Sequence, residues 1–285
     1  MQTIRCPLGN EIAHFYCRKP PADYYILKDT GLIFQKSPPS IDEMAAYADT
    51  EYACGLYKDY VAAASLKHET FRRRIRLIRN FVERGRLLDV GCASGFFIEM
   101  ALEQGFDAYG IEFSKTAIAL AKQEIQPRIM HGDVNLLRER GQKCFDLVVA
   151  FDIIEHTHNP IKFLMDIREI LAPGGWLILA TPDTGHFLRH LMRSRWPMLQ
   201  PLQHTYLFSR KAMRKVLEEA GYNRIQVQNA EKTMTLEYLI GQISASNPFL
   251  TGVYKAFSRL LPTAVTEKPF SINIGEMLVF CQKGS

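Results

Sequence analysis

Long apolar runs are missing from these 285 residues. Stretches such as LVVAF (147–151) and WLILA (176–180) fall far short of the roughly 20 residues a membrane-spanning helix requires. The opening MQTIRCPLGNEIAHF has no continuous hydrophobic signal core, so a cytoplasmic chain is expected. Cysteine is sparse. The six, at positions 6, 17, 54, 92, 144 and 281, are scattered, and two lie inside apolar stretches, which suits reduced thiols rather than a disulfide framework. Charge of one sign does not dominate either: the net value is +5, and only FRRRIRLIR (71–79) concentrates it. There Arg72, Arg73, Arg74, Arg76 and Arg79 spread around a helix whose apolar stripe is Phe71, Ile75 and Ile78. A solvated helix face is the expectation, and attraction to an anionic substrate, lipid headgroup or nucleic acid is the alternative. No internal repeat or low-complexity tract is present.

What remains is an ordinary globular chain, with 47% hydrophobic residues to build a sizeable core. Its middle alternates short apolar runs with helical patterns. RLLDV (86–90), DAYGIE (107–112), RIMHGD (128–133), FDLVVAFD (145–152) and GGWLILATP (174–182) read as strands. Residues 95–104, 114–123 and 160–171 carry helical periodicity, giving a βαβαβ order and a mostly parallel sheet covered on both faces. Further on, SRKAMRKVLEEAGY (209–222) reads as a helix with a serine at its start and Gly221 past its end, followed by strands at RIQVQN and EMLVFCQ.

In such a sheet the ligand sits beyond the carboxyl ends of the strands, and the first strand-to-helix turn is the usual site. That turn is LLDVGCASGFF (87–97). A dinucleotide fingerprint would place glycines at 91, 93 and 96, but the chain has Gly91, Ala93 and Phe96, with its second glycine at 95. The spacing D-x-G-x-x-x-G suits a ligand without a pyrophosphate. Asp89 can accept a hydrogen bond from a ligand ammonium, while Gly91 and Gly95 let the backbone approach closely. Glu112 ends the second strand, where a carboxylate can take both hydroxyls of a ribose, and Asp133 ends the third, where an acid can receive an adenine amino group. Each acid alone could merely cap a helix or turn. Three at successive strand ends point to one ligand.

Over roughly 70–285, and most closely over 86–182, the chain resembles the class I S-adenosylmethionine-dependent methyltransferases. LLDVGCASGFF, GIE, HGDV, FDLVVAFDIIEHTHNP and LAPGGWLILATPD follow that family's motifs in order. DIIEH and HTYLFSRKAMRKVLEEAGY are similar to a subgroup that includes quinone O-methyltransferases and methyltransferases of sugar and natural-product pathways. The resemblance implies an α/β Rossmann-like, doubly wound, mostly parallel seven-stranded sheet with an antiparallel last strand, carrying an N-terminal segment and cap insertions. It also implies S-adenosyl-L-methionine as cofactor. The methionine portion would lie near Asp89, Gly91, Cys92 and Gly95, the ribose on Glu112, the adenine between Phe113 and Asp133–Val134, and Asp152 at the cofactor's edge.

A sulfonium methyl is already activated, so the protein's main task is alignment of a nucleophile. If that nucleophile is a hydroxyl, a base should take its proton, and His156 in DIIEHTHNP stands just beyond the fourth strand. His204 in LQHTYLFS is the second candidate. Glu155, His156 and His158 also raise the question of a metal. Adjacent side chains diverge and no second cluster has ligand spacing, so none is expected.

Many members of the subgroup begin with a small zinc ribbon. Here CPLGN and LKDTGLIFQKSPP keep Cys6, but Gly9, Leu27 and Thr30 stand where the other cysteines would be, and Cys17 is off register. One thiolate cannot hold structural zinc, so residues 1–70 are expected to be a metal-free ribbon remnant followed by a helical lid. In that lid Tyr47, Tyr52, Tyr57 and Tyr60 are spaced for helix packing or for a tyrosine cover over the site. The cofactor domain would then run from 71 to 285, with insertions at 183–208 and 230–274. Both insertions are expected to cap a small substrate; their basic and aromatic character also fits a membrane-surface contact with a lipid-linked acceptor. The function expected is methyl transfer to a small molecule, such as a sugar, quinone or polyketide-like hydroxyl, with no nucleic acid partner. An RNA or protein methyltransferase, supported only by the arginine run, and a non-catalytic S-adenosylmethionine-binding module are the alternatives.

Overall fold

Leu87 and Leu88 are neighbours in sequence yet lie in different hydrophobic cores, the period-two geometry of a strand buried on both faces. They belong to a computed structural model that describes residues 2–53, 64–141, 145–236, 266 and 268–284. In chain order its main elements are β1 (Thr3–Arg5), β2 (Ile12–Lys19), β3 (Ala22–Ile26), β4 (Ile33–Gln35), α1 (Ile41–Ala53), α2 (Ala64–Ile78), β5 (Arg86–Val90) and α3 (Phe96–Glu103). Then come β6 (Asp107–Glu112), α4 (Lys115–Ala119), β7 (Ile129–His131), α5 (Val134–Glu139), β8 (Phe145–Phe151) and α6 (Pro160–Ile170). The chain continues through β9 (Leu171–Pro182), α7 (Phe187–Met192), β10 (Tyr206–Leu207), α8 (Arg210–Glu219), β11 (Tyr222–Met234) and β12 (Phe270–Lys283).

Seven strands form one sheet in the order β11-β12-β9-β8-β5-β6-β7. Strands β5 to β9 run parallel, and β12 is antiparallel to both β9 and β11, as expected from the sequence. Leu87, Leu147, Val149 and Ile178 face one side, where they meet Ile75 and Ile78 of α2 and Phe97, Ile98 and Ala101 of α3. Leu88, Val148, Ala150, Leu177 and Leu179 face the other, against Leu164 and Ile167 of α6 and Met213, Val216 and Leu217 of α8. Each such side chain removed from water contributes about 1.5–3 kcal/mol before its entropy cost. Strand order reverses between β5 and β8, so the crevice for a ligand opens at their carboxyl ends.

The helix α8 begins at the Ser209 cap, whose Oγ accepts from Ala212 N at 3.1 Å, and ends before Gly221 at φ +85°. The helix expected over 114–123 stops at Ala119, and a short helical turn follows only at Gln126–Arg128. The last two strands extend beyond their expected ends, to Met234 and back to Phe270. The second insertion therefore spans 235–269 rather than 230–274. Most of it lies outside the described residues, as do Tyr57, Tyr60, Cys54 and Cys144.

The N-terminal segment forms a second sheet, in the order β1-β2-β3-β4-β10, whose last strand comes from the first insertion. Tyr206 pairs with Phe34 and Leu207 with Ile33. Its two tight turns are closed by Cys6 N–H donating to Glu11 O and Leu27 N–H donating to Leu32 O, both at 2.9 Å. Cys6, Leu27 and Leu32 are buried in the same core as α6 and α8. The opposite face buries Tyr24 and Ile33 beneath Trp196 and Leu199 of the insertion. Residues 183–208 thus clamp the N-terminal sheet. Gln203 is the insertion residue that reaches the ligand crevice.

Candidate cofactor and acceptor site

Strand β5 delivers Asp89 to the crevice, and the chain then turns at Gly91, φ +72°, where a Cβ would overlap Ile153 Cδ1. Only glycine fits both the backbone angle and that contact. The turn is held from β6: Gly91 N–H donates to Ile111 O at 2.8 Å, and Ala93 N–H, itself at φ +48°, donates to Glu112 Oε2 at 2.8 Å. Ser114 N–H donates to Glu112 Oε1, also at 2.8 Å. Both carboxylate oxygens are thereby oriented before any ligand arrives, and each keeps a lone pair for a hydroxyl. Burial, and next the Glu112 charge, push Asp89 well above the usual carboxylate range, with Arg74 opposing. A cationic ligand group beside Asp89 would relieve that cost.

These residues line one cavity of about 880 Å³, near the upper end of the roughly 300–1,000 Å³ usual for ligand clefts. Asp89, Gly91, Cys92, Glu112, Phe113, Asp133, Val134, Asp152 and His156 all border it. Asp133 also caps α5, its Oδ1 accepting from Asn135 N–H at 3.0 Å, so the capping and ligand readings coexist in one side chain. Two candidates stand elsewhere. Gly95 is behind the turn: its N–H donates to Cys92 O at 2.9 Å, and a Cβ there would strike Ile125 and Ile129, so it serves the start of α3 and not the cavity wall. His204 is also off the wall, because its Nδ1 is drawn to Met198 O at 2.7 Å and its ring is buried behind His156. The cover over the crevice is α1, presenting Ile41, Met44, Ala45 and Ala48 at helical spacing. Among the described residues that face is aliphatic rather than tyrosine-lined; Tyr47 is off it. Asp49 ties α1 to the cofactor half by accepting from Ser114 Oγ at 2.6 Å.

His156 follows β8 in a short turn and points into the cavity. Its Nδ1 lies 3.1 Å from Gln203 O, so the neutral ring donates there and leaves Nε2 as an acceptor. Burial lowers its pKa against the opposing Gln203 carbonyl and Asp152. The His204 ring packs edge-on at 4.9 Å, its pKa pushed down to about 3 by burial and then by His156. Glu155 is buried beneath both, accepts from Thr181 Oγ1 at 2.9 Å, and is driven well above the carboxylate range by burial and by Asp152. Ligand atoms of Glu155, His156 and His204 lie within 4.8 Å of one another, close enough to share a proton or a divalent ion. His158 is not part of this group: its Nε2 meets Pro39 O at 2.7 Å.

Sequence reasoning missed a charged wall. Arg74, one of the five arginines expected on a solvated face, is only 4% exposed, because its position on α2 turns it inward over the Phe151 ring at 4.4 Å. It lies 3.8 Å from Glu276, itself paired with Lys232, and Lys232 is 3.5 Å from Asp152. Burial works against the Lys232 charge, but Asp152 and Glu276 outweigh it and hold its pKa above the ordinary value. Lys67, on the same face of α2, lines the cavity beside this cluster. A helical-wheel position inside an arginine run was the available signal for Arg74. Lys232 follows a β-bulge between Ala230 and Lys232, which no alternation predicts.

A family model described as a methyltransferase domain matches residues 62–227, and the chain belongs to that family. Its seven-stranded sheet has the fold of class I methyltransferases. A ubiquinone biosynthesis O-methyltransferase of Maricaulis maris (strain MCS10) is 27% identical over 174 residues, 57% of this chain and 68% of the relative. Another of the same name, from Caulobacter sp. (strain K31), is 34% identical over 101 residues, 34% of this chain and 40% of the relative. Two solved structures share the fold. A SAM-dependent methyltransferase from Archaeoglobus fulgidus superposes with a TM-score of 0.53 at 15% identity, covering 79% of this chain and 99% of that one. One from Thermotoga maritima gives 0.55 at 16%, covering 83% and 98%.

Proposed function

We propose that the protein methylates a hydroxyl of a small aromatic, quinol-like acceptor. The observation that carries this is one cavity lined both by the strand-end acids Asp89, Glu112 and Asp133 and by His156, whose Nδ1 is held at Gln203 O. The names of the curated relatives support a quinone-type acceptor. The arginine run no longer argues for nucleic acid: Arg72 and Arg76 pair with Glu69, Arg73 pairs with Glu231, and Arg74 turns inward.

When bound, S-adenosylmethionine supplies an activated methyl group. The protein's residues bind and orient it, with Asp89 toward the amino-acid end, Glu112 toward the ribose, and Phe113, Asp133 and Val134 around the base. Gly91 admits the ligand close to the backbone. His156 accepts the acceptor's hydroxyl proton at Nε2, its ring fixed by Gln203 O. Met44 and Ile41 of α1 shield the crevice from water.

The test is transfer of labelled methyl from S-adenosylmethionine to a panel of hydroxylated aromatics, set beside transfer RNA and unstructured peptides. Transfer to catechol-type acceptors is expected. Labelling of the macromolecules alone would sink the reading, and cofactor binding without transfer to anything would favour a non-catalytic module.

A further inference from the structure

We propose that Gln35 is a positioning residue for His156, so that the N-terminal sheet braces the proton-accepting ring. The inference rests on the reading of His156 as general base and adds the support that holds it. Gln35 ends β4 and is 3% exposed. The β4–β10 ladder itself is Phe34 opposite Tyr206 and Ile33 opposite Leu207. Gln35 works past the end of that ladder: its Nε2 donates to Pro201 O at 2.9 Å and to His204 O at 2.8 Å, and its backbone N–H donates to Thr205 O at 3.0 Å. Among the described residues its Oε1 has no hydrogen-bond partner. A buried amide oxygen left in that state costs stability, and an apolar side chain of the same shape would fill the space without that cost. What Gln35 supplies in return is its pair of donors.

The segment those donors hold is fastened on its other side to the turn that carries His156. Gln203 O receives the His156 Nδ1 proton at 3.1 Å, and His204 N–H, the other end of the same peptide, donates to Gln200 O at 2.9 Å. The next peptide is also held at both ends: His204 O accepts from Gln35, and Thr205 N–H donates to Glu155 O at 2.8 Å. A peptide unit is planar and stiff, so these two plates carry the position of Gln35 to the carbonyl that His156 meets. Thr205 Oγ1 adds a further tie, reaching Glu155 O at 3.0 Å and Thr157 O at 2.5 Å, the carbonyls on either side of His156.

The Gln203 carbonyl selects the tautomer with its proton on Nδ1, the one in which Nε2 can accept another. A second carbonyl, that of Asp152, also draws on the ring. Which nitrogen carries the proton is therefore set by competition, and displacement of Gln203 O tips it away from Nδ1. The ring is then free to turn as well, and proton transfer depends on its alignment.

Gln35→Met removes both donors at nearly constant shape. In labelled-methyl transfer to 4-methylcatechol by the full chain, kcat is expected to fall roughly tenfold, a part of the roughly 10²–10⁴-fold that a placed base supplies. The KM for 4-methylcatechol and the Kd for S-adenosylhomocysteine should stay as they are. Nuclear magnetic resonance of isotope-labelled histidine should find the His156 proton on Nδ1 in the wild-type chain and divided between the two nitrogens in the variant. In a His156→Ala background Gln35→Met should cost no further turnover. Should Gln35→Met not fold, Thr205→Val tests the same brace and is expected to lose turnover in the same way, while Thr205→Ser, which keeps the hydroxyl, should restore it. Wild-type kcat and an unchanged tautomer in either Gln35→Met or Thr205→Val overturn the proposal. So does a loss of turnover that persists undiminished in the His156→Ala background, which would make Gln35 a support of the fold alone. If the wild-type chain methylates neither 4-methylcatechol nor any other small acceptor, the small-acceptor reading falls, and the tautomer measurement decides the brace by itself.

Discussion

The side chain of Glu112, at the end of β6, accepts the N–H of Ala93 across the gap to the neighbouring turn at 2.8 Å. One carboxylate therefore fixes the shape of the β5 turn and faces the cavity where a ribose would lie. Glu112→Ala is expected to weaken S-adenosylhomocysteine binding by about 1.5–3 kcal/mol, on the scale of hydrogen bonds to charged groups. Calorimetry would show a roughly 10- to 150-fold rise in Kd. Unchanged affinity would remove the ribose assignment.

Replacing His156 separates chemistry from cofactor binding. Its ring lines the cavity, so His156→Ala should lower turnover by roughly 10²–10⁴-fold while the cofactor Kd stays nearly constant. Near-normal turnover across the pH range would reduce His156 to a support for the Gln203 loop.

Glu155 gives a pH signature. Burial and then Asp152 raise its pKa in the fold, so the protonated form is favoured there. Its contribution to stability is present below the unfolded value of about 4.3 and fades as pH rises through the higher folded value. Glu155→Gln keeps an acceptor for Thr181 Oγ1 and cannot ionise. The difference in Tm between variant and wild type should be near zero at pH 4 and favour the variant increasingly toward pH 8. A difference that does not change with pH would contradict the buried-acid account.

Lys232 neutralises Asp152 and Glu276, and Glu276 is only 1% exposed. Lys232→Met leaves that buried carboxylate with Arg74 alone, and the expected loss is at the lower end of about 3–5 kcal/mol, since the lysine itself keeps some solvent contact. Adding Glu276→Gln should recover part of the loss. Urea denaturation that finds the two substitutions simply additive would show the pair to be uncoupled.

The central sheet was legible because parallel strands buried on both faces give uninterrupted apolar runs, as in LVVAF, ended by glycine or an acid. The grouping of Asp89, Glu112 and Asp133 around one cavity was legible for a related reason: they sit at or just past strand ends, where position along the chain determines position in the crevice. The acceptor half was not. Whether Arg74 or Arg73 turns inward depends on the rotation of α2, which is set by Ile75 and Ile78 packing under the sheet. His204 joins His156 only through a long connection whose path is fixed by Gln35, its Nε2 donating to Pro201 O and His204 O. The N-terminal strands were hidden because CPLGN and LKDTGLIFQKSPP read as a metal-site remnant rather than as turns that end strands.

The pairing of β4 with β10 ties the beginning of the chain to its later half. Gln35 and its acceptor at His204 are 169 residues apart, so the strands made first during synthesis find their last partner only after the central sheet's parallel strands have emerged. Contacts of such separation close slowly. Until then Tyr25 and Phe34 lack the covering they have in the finished molecule, and the nascent N-terminal sheet has an open edge at β4. Completion of the nearby cofactor crevice and completion of the first sheet would then be one late folding event.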